Sequence, residues 1–253
     1  MGLTVVDAFT DRPFAGNPAA VAVVEEFPSE VRMQAIAREM NLSETAFAVA
    51  RGDGTHDLRW FTPAVEVDLC GHATLATAHV LGGTAVFHTR SGMLACERRG
   101  EWIEMDFPAW APTEQPLPFL PRGLVPPVWT GVAGEDWLVE LPSAGAVADL
   151  APDQSGIAGV GRRAFIITAR AGPGTGTDVV SRVFAPNVGV PEDPVTGSAH
   201  CALAPYWAPR LGRDDLVGLQ LSARGGVVRM RLVGDRVVLG GRAVTVSEVS
   251  LLA

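Results

Sequence analysis

The sequence predicts an α+β protein of two similar lobes, each a sheet wrapped around a central helix. Three observations lead to this fold class. A segment that reads as strand, turn and Ala-rich helix occurs twice, the repeated residues have the period of a half-buried strand, and a proline-rich stretch lies near the middle of the 253-residue chain.

The repeat joins two pairs of segments. RWFTPAVEV (59–67) and RVFAPNVGV (182–190) share Arg, Phe, Pro, Val and Val at every second position, with a constant offset of 123 residues from 59 to 182. GHATLATA (71–78) and GSAHCALA (197–204) match at an offset of 126, after a three-residue insertion. A period of two indicates strands, and small residues on nearly every helix face allow other backbone to approach closely. Convergence of two unrelated segments on one pattern is the alternative.

The chain opens with two short β-rich runs. LTVVDAFT (3–10) and AAVAVV (19–24) flank the turn-forming residues DRPFAGNP (11–18). We therefore expect a pair of neighbouring strands.

A helix is predicted next, over about 30–40. Ser29 is a suitable N-cap, and Asn41 is a suitable terminator. A strand follows at about 45–50, which places Glu44 in the turn that joins helix and strand.

The best linker candidate is 108–127, which contains seven of the nineteen prolines. We expect an N-terminal lobe over 1–112, joined by the C-terminal strand at about 243–253, and a C-terminal lobe over 113–242. The stretch AGPGTGT (171–177) is interpreted as a surface loop, because it lacks the strand and helix of a dinucleotide-binding fingerprint.

The composition indicates an ordered protein with a small-molecule ligand. Hydrophobic residues make up 47% and charged residues 19%, and the net charge of −8 argues against nucleic acid or an anionic membrane as partner. No apolar run is long enough to span a bilayer and the first residues do not resemble a signal peptide, so we expect a cytoplasmic location. Three widely spaced cysteines suggest neither a disulfide framework nor a structural zinc site.

Both repeated helices begin at a glycine, and helix N-termini attract anions. We expect the two helix starts to face a common crevice that holds a carboxylate. Groups suited to proton transfer lie beside them, namely Asp68, Cys70, His72, Asp193, Thr196 and Ser198. Each acidic or hydroxyl residue in this set also has a structural interpretation as a helix cap.

No metal site is expected from the histidines and cysteines. His72 and His79 are seven residues apart, about 10.5 Å along a helix, and the adjacent His200 and Cys201 face different ways. We expect neither a metal nor a cofactor.

Four segments resemble the PhzF-like family of phenazine biosynthesis. They are DAFTDRPFAGNPAAV (7–21), NLSETAF (41–47), DLCGHAT (68–74) and EDPVTGSAH (192–200), and together they span nearly the whole chain. The resemblance implies a diaminopimelate-epimerase-like fold with mostly antiparallel sheets. It also implies that the last strand, within AVTVSEVSLL, returns to the first lobe.

The resemblance further implies an isomerase that acts by proton transfer, with Glu44 as the acid/base in the cleft between the lobes. His72, Asp193 and Ser198 would assist Glu44. The predicted substrate contacts are Ser43, Gly71, His72, Ala73, Thr196, Gly197 and Ser198. The expected partner is a small carboxylate, and the expected assembly is a homodimer.

Two other functions remain open at this point. The related epimerases use two facing cysteines, and the motif positions place Cys70 at the first and Pro194 at the second. The missing second thiol disfavours an amino-acid racemase or epimerase. Incorporation of solvent deuterium at an inverted Cα of a substrate would favour that activity. A non-catalytic ligand-binding homologue would bind tightly without any proton exchange.

Overall fold

The structure is a computed structural model that describes residues 1–252, and it contains eighteen strands, five α-helices and one 3₁₀ helix within them. The first elements in chain order are β1 (Gly2–Ala8), β2 (Asn17–Val24), α1 (Glu30–Met40), β3 (Glu44–Ala50), β4 (His56–Phe61), β5 (Glu66–Val67), α2 (Gly71–Val80), β6 (Ala85–Thr89), β7 (Gly92–Arg99) and β8 (Trp102–Pro108). The later elements are β9 (Thr113–Glu114), β10 (Trp129–Ala133), β11 (Asp136–Glu140), α3 (Ala144–Ala148), α4 (Gln154–Gly159), β12 (Phe165–Arg170), β13 (Val179–Ala185), the 3₁₀ helix (Pro186–Val188), β14 (Val190–Asp193), α5 (Gly197–Leu211), β15 (Asp215–Gln220), β16 (Gly226–Val233), β17 (Arg236–Gly241) and β18 (Ala243–Ser250). No helix in this part of the chain is both long enough and apolar enough to cross a bilayer.

The chain divides into two compact units. One comprises Met1–Phe107 together with the chain from Gly240 onward, and the other comprises Pro108–Leu239. The last strand, β18, pairs antiparallel with β1 in the first unit.

The two units repeat one order of elements. In the first, β2 pairs parallel with β3 and β4 pairs parallel with β6, while α2 lies in sequence between β4 and β6. In the second, β11 pairs parallel with β12 and β13 pairs parallel with β15, and α5 takes the place of α2. The remaining pairings described within each unit are antiparallel. The repeat seen in the sequence is therefore a repeat of strand, turn and helix.

The repeat also contains a pair of equivalent ion pairs. Arg59 donates through Nε and Nη2 to Glu66, at 2.6 Å for each bond. Arg182 donates in the same way to Glu192, at 2.7 and 3.0 Å. The two arginines are 123 residues apart and the two glutamates are 126 residues apart. The three-residue insertion therefore lies between Arg182 and Glu192, in the segment that also contains the 3₁₀ helix. The sequence analysis did not find these pairs.

Local predictions around the first helix are confirmed, with one correction. The helix α1 spans the predicted residues, Ser29 caps it through a bond to the backbone N–H of Arg32, and Asn41 ends it in the left-handed conformation. Glu44 was predicted in a turn but is the first residue of β3, because its backbone already pairs with Ala19 of β2.

His200 of α5 is the buried polar group with the clearest pH consequence. Its Nδ1 lies 2.7 Å from the carbonyl oxygen of Thr196, which requires a proton on Nδ1, while Nε2 is buried without a partner. A Cβ atom on Gly218 would lie 3.1 Å from the imidazole, so the ring is tightly enclosed. Burial lowers the pKa of His200 from 6.5 to about 4.

We therefore predict that His200 destabilises the fold in acid. Between about pH 6.5 and 4 the unfolded chain binds a proton at His200 that the folded chain does not. His200 therefore costs no stability above pH 6.5, and its destabilising effect grows as pH falls toward 4. His200→Asn keeps a donor for Thr196 but cannot titrate. Urea unfolding gives the free energy of unfolding at pH 7 and at pH 4.5. The decrease between these two pH values should be smaller in His200→Asn than in wild type, by up to roughly 3 kcal/mol. His88→Asn, at a partly exposed position of β6, is the control and should keep the wild-type loss. Equal acid losses in wild type and His200→Asn would contradict the prediction.

Candidate active site

The pairing of β2 with β3 sets the direction of the Glu44 side chain. Successive side chains of a strand point to opposite faces of the sheet. Phe47 packs with Met33 in the cluster under α1, so Glu44, three residues earlier, points to the opposite face. That face packs against α2, because α2 contacts β1, β2 and β3.

The composition of α2 lets its first turn come close to the sheet. The helix has buried residues from His72 to Ala78, most of them small, and it begins at Gly71 after Cys70. Small side chains leave little distance between the helix and the strands around it. His72, in the first turn, is thereby brought to the sheet face that carries Glu44.

Glu44, His72 and Cys70 meet at this point. His72 Nε2 lies 2.9 Å from Glu44 Oε2, and the two side chains are 6% and 17% exposed. The approach is close but not linear, so both atoms keep unused hydrogen-bonding capacity. On the other side of the ring, His72 Nδ1 lies 3.5 Å from Cys70 Sγ. The imidazole is therefore placed between a carboxylate and a thiol, away from bulk water.

The charges at this site depend on one another. Burial by itself lowers the pKa of His72, but the charges of Cys70 and Glu44 raise it, and the resulting pKa lies well above 6.5. Burial raises the pKa of the Cys70 thiol, and the Glu44 carboxylate raises it further. The protonation of the thiol and of the imidazole thus depends on the neighbouring groups of the cluster.

The same three side chains could be considered as metal ligands. Within the described chain, Glu44, Cys70 and His72 offer ligand atoms that lie within 4.8 Å of one another. However, the carboxylate is next to Nε2 and the thiol next to Nδ1, and one ion binds only one nitrogen of an imidazole. The arrangement suits proton transfer along the ring better than chelation.

In the second unit, Asp193 and Thr196 lie at the start of α5. The Thr196 hydroxyl donates to Asp193 Oδ2. Gln220, fully buried on β15, closes the turn between them: its Nε2 donates to the Asp193 carbonyl at 2.7 Å, and its Oε1 accepts from the Thr196 N–H at 2.9 Å. Gln220 was not predicted from the sequence, because an isolated glutamine in a strand carries no motif.

Ser198, in the first turn of α5, contacts an ion pair that the sequence analysis also missed. Arg163 donates through Nη2 to Ser198 Oγ at 3.3 Å, and through Nε and Nη2 to Asp136. Asp136 is 1% exposed.

The other predicted residues are placed as follows. Asp68 is exposed and lies 3.8 Å from Arg90, away from the cluster of Glu44 and His72. Ser43 lies in the turn before β3, and Ala73 is fully buried in α2. The structure brings together Glu44, His72 and Cys70 in the first unit. A common crevice for both helix starts stays a prediction.

By helix start, Cys70 has a different counterpart from the one that the motif positions predict. Cys70 is the residue before the first residue of α2, and the residue before the first residue of α5 is Thr196. The assignment of Pro194 by motif position stays a prediction. Neither Pro194 nor Thr196 carries a thiol.

Comparison with known proteins gives a consistent result. Residues 6–249 match the PhzC-PhzF family model, which is described as phenazine biosynthesis-like protein. An uncharacterized isomerase of Halalkalibacterium halodurans is 45% identical over 98% of this chain and 97% of its own. A crystal structure of a PhzF-family phenazine biosynthesis protein of Enterococcus faecalis is 40% identical and has a TM-score of 0.92, over 98% of this chain and 97% of the other. A probable proline racemase of Agrobacterium radiobacter, at 11% identity and a TM-score of 0.65 over 99% and 92% of the chains, shares the fold alone.

We predict that Glu44 controls the titration of His72. In Glu44→Gln the titration midpoint of His72 should fall, because one of the two charges that raise its pKa, the Glu44 carboxylate, is removed while Cys70 remains. NMR titration of the five histidines, with His72→Asn for assignment, measures this. Glu39→Gln, on the exposed side of α1, is the matched control and should leave the midpoint unchanged. A wild-type midpoint below 6.5, or no shift in Glu44→Gln, would contradict the prediction.

Proposed function

We propose, from the premise that this chain belongs to the PhzC-PhzF family of phenazine biosynthesis-like proteins, that it is an isomerase of a small cyclic or unsaturated carboxylate. Glu44 is the acid/base of the proposed reaction. The observation that carries the proposal is the buried approach of Glu44 Oε2 to His72 Nε2 at 2.9 Å. Membership of the family supports an isomerase, and this contact supports the choice of residue.

The proposed reaction moves one proton and changes no oxidation state. The Glu44 carboxylate accepts a proton from a carbon of the substrate, and the electron pair left behind spreads into the conjugated system. Glu44 then returns the proton to a different carbon of that system. His72 holds Glu44 in place and supplies a positive charge while the substrate is anionic.

Asp193 and Ser198 have assisting roles in this proposal by their positions in the family motif. Thr196 donates to Asp193, and Ser198 lies in the first turn of α5, where backbone N–H groups attract an anion. A substrate carboxylate or a developing oxyanion is the group that these donors would bind.

A racemase with two opposed thiols is the second candidate, and two observations count against it. Burial raises the pKa of Cys70, so the thiol is not a ready nucleophile or base at neutral pH. The corresponding position of the repeat is Thr196. The fold shared with a probable proline racemase does not bear on the chemistry.

Glu44→Gln is the main test of the proposal. Glutamine keeps the shape and a hydrogen-bonding group but has no basicity, so ligand binding should persist while turnover falls by about 10² to 10⁴-fold. NMR measures the exchange of substrate hydrogen for solvent deuterium, with a dihydro-hydroxyanthranilate-like acid as substrate. Glu39→Gln makes the same chemical change on the exposed side of α1 and should retain full exchange.

Cys70→Ala separates the two candidate chemistries. Under the proposal it should leave exchange nearly intact, because the thiol is neutral and has no thiol at the equivalent position of the repeat. If Cys70→Ala abolished exchange while Glu44→Gln did not, the thiol racemase would replace the proposed function. Tight binding of the acid without any exchange in wild type would favour the non-catalytic homologue.

A further inference from the structure

An ion pair in the second unit, with a buried carboxylate and a partly exposed guanidinium group, holds that guanidinium group against Ser198. Asp136 opens β11, and Arg163 lies just before β12, the strand that pairs parallel with β11. The backbone N–H of Arg163 bonds to the carbonyl oxygen of Glu135 at 3.0 Å, so both chain segments are fixed next to each other. The side chain of Arg163 uses Nε and Nη2 for Asp136 and reaches Ser198 Oγ with the same Nη2.

Stability alone is a poor explanation for this pair. Asp136 is 1% exposed, and burial raises its pKa even though Arg163 acts in the opposite direction. The surroundings of the carboxylate thus oppose its charge on balance. The Arg163 side chain is 36% exposed, and ion pairs that water reaches contribute little to stability. A positional role accounts better for the pair.

The contact with Arg163 fixes the direction in which Ser198 can donate. A guanidinium group has donors and no acceptor, so Ser198 Oγ accepts this hydrogen bond and its own hydrogen must point elsewhere. Within residues 1–252 that hydrogen finds no acceptor. Ser198 is only half-buried, and the N–H groups of the first turn of α5 lie beside it.

We infer that Arg163, held by Asp136, is a positioning residue that turns the Ser198 hydroxyl into a dedicated donor for an anionic oxygen of the substrate. The inference rests on the proposed function, in which Ser198 binds a carboxylate or a developing oxyanion. Arg163 acts through Ser198 and not by direct contact with the reacting atoms. The pair therefore sets both the affinity and the orientation of an acidic ligand.

The test is a double-mutant cycle of Arg163→Met and Ser198→Ala in the whole protein. One readout is kcat/KM for deuterium exchange of the dihydro-hydroxyanthranilate-like acid, and the other is the calorimetric Kd of anthranilate, a stable aromatic carboxylate. With Ser198 present, Arg163→Met should lower kcat/KM by about 10 to 100-fold, as expected for a hydrogen bond to a charged group. In the Ser198→Ala background the further loss should be below about threefold. Arg163→Lys, which keeps the charge and one donor, should recover part of the loss.

Further variants separate positioning from folding. Arg163→Met leaves the Asp136 carboxylate buried and unpaired, which should lower the thermal midpoint of unfolding. Asp136→Asn combined with Arg163→Met removes that buried charge and should restore the thermal midpoint. The loss in kcat/KM of this double variant should still depend on the presence of Ser198. Arg162→Met removes the neighbouring exposed charge, which stacks on Trp137, and should leave kcat/KM unchanged.

The outcomes distinguish this inference from the proposed function. Equal losses from Arg163→Met with and without Ser198 would overturn the positioning role, even if Glu44→Gln behaves as proposed. If wild type catalyses no exchange, the isomerase proposal fails, and the cycle measured through the Kd of anthranilate decides the role of Arg163. The positioning role would also be overturned if Arg163→Met changed the Kd of anthranilate equally with and without Ser198. It would likewise be overturned if the protein did not bind anthranilate.

Discussion

The close approach of Glu44 to His72 is the contact on which the candidate active site depends. A carboxylate and an imidazole lie 2.9 Å apart where little water reaches them, so the carboxylate helps to raise the pKa of the imidazole. Two features of the chain bring this about. The parallel pairing of Ala19 with Glu44 directs the carboxylate to one face of the sheet, and the small residues of α2 let its first turn approach that face. A shift of one residue in the strand register would turn Glu44 toward α1 and remove it from His72.

The repeated unit explains why both helices of this kind start where they do. In each unit an arginine of one strand holds a glutamate of the next short strand, and the chain then turns into the buried helix. The ion pair spans the turn, so it limits the positions that the first helical residues can take. The turn between Arg182 and Glu192 is three residues longer than its counterpart and contains a 3₁₀ helix, yet an equivalent ion pair spans it.

Features that depend on residue spacing and on capping residues could be predicted from the sequence. The helix after Ser29 and the repeat follow from spacing of two or 3.6 and from capping residues, whereas the return of the last strand was implied by the family resemblance. The family motif supplied Glu44 and His72 as candidates, and their contact could be measured only in the structure. Arg163, Asp136 and Gln220 could not be found in this way, because each is an isolated polar residue whose partners lie 24 to 35 positions away. A lone residue with distant partners leaves no periodic signal.

The two buried histidines of the repeated helices show how the units differ in chemistry. His72 and His200 are both enclosed, and burial lowers the pKa of each. His72 also faces a carboxylate and a thiol, and its pKa rises, whereas His200 faces only a carbonyl oxygen, and its pKa falls to about 4. One helix start therefore holds three titratable groups close enough to exchange a proton. The other holds neutral donors fixed by Gln220 and by the Asp136 pair, which suits binding of an anion rather than proton transfer.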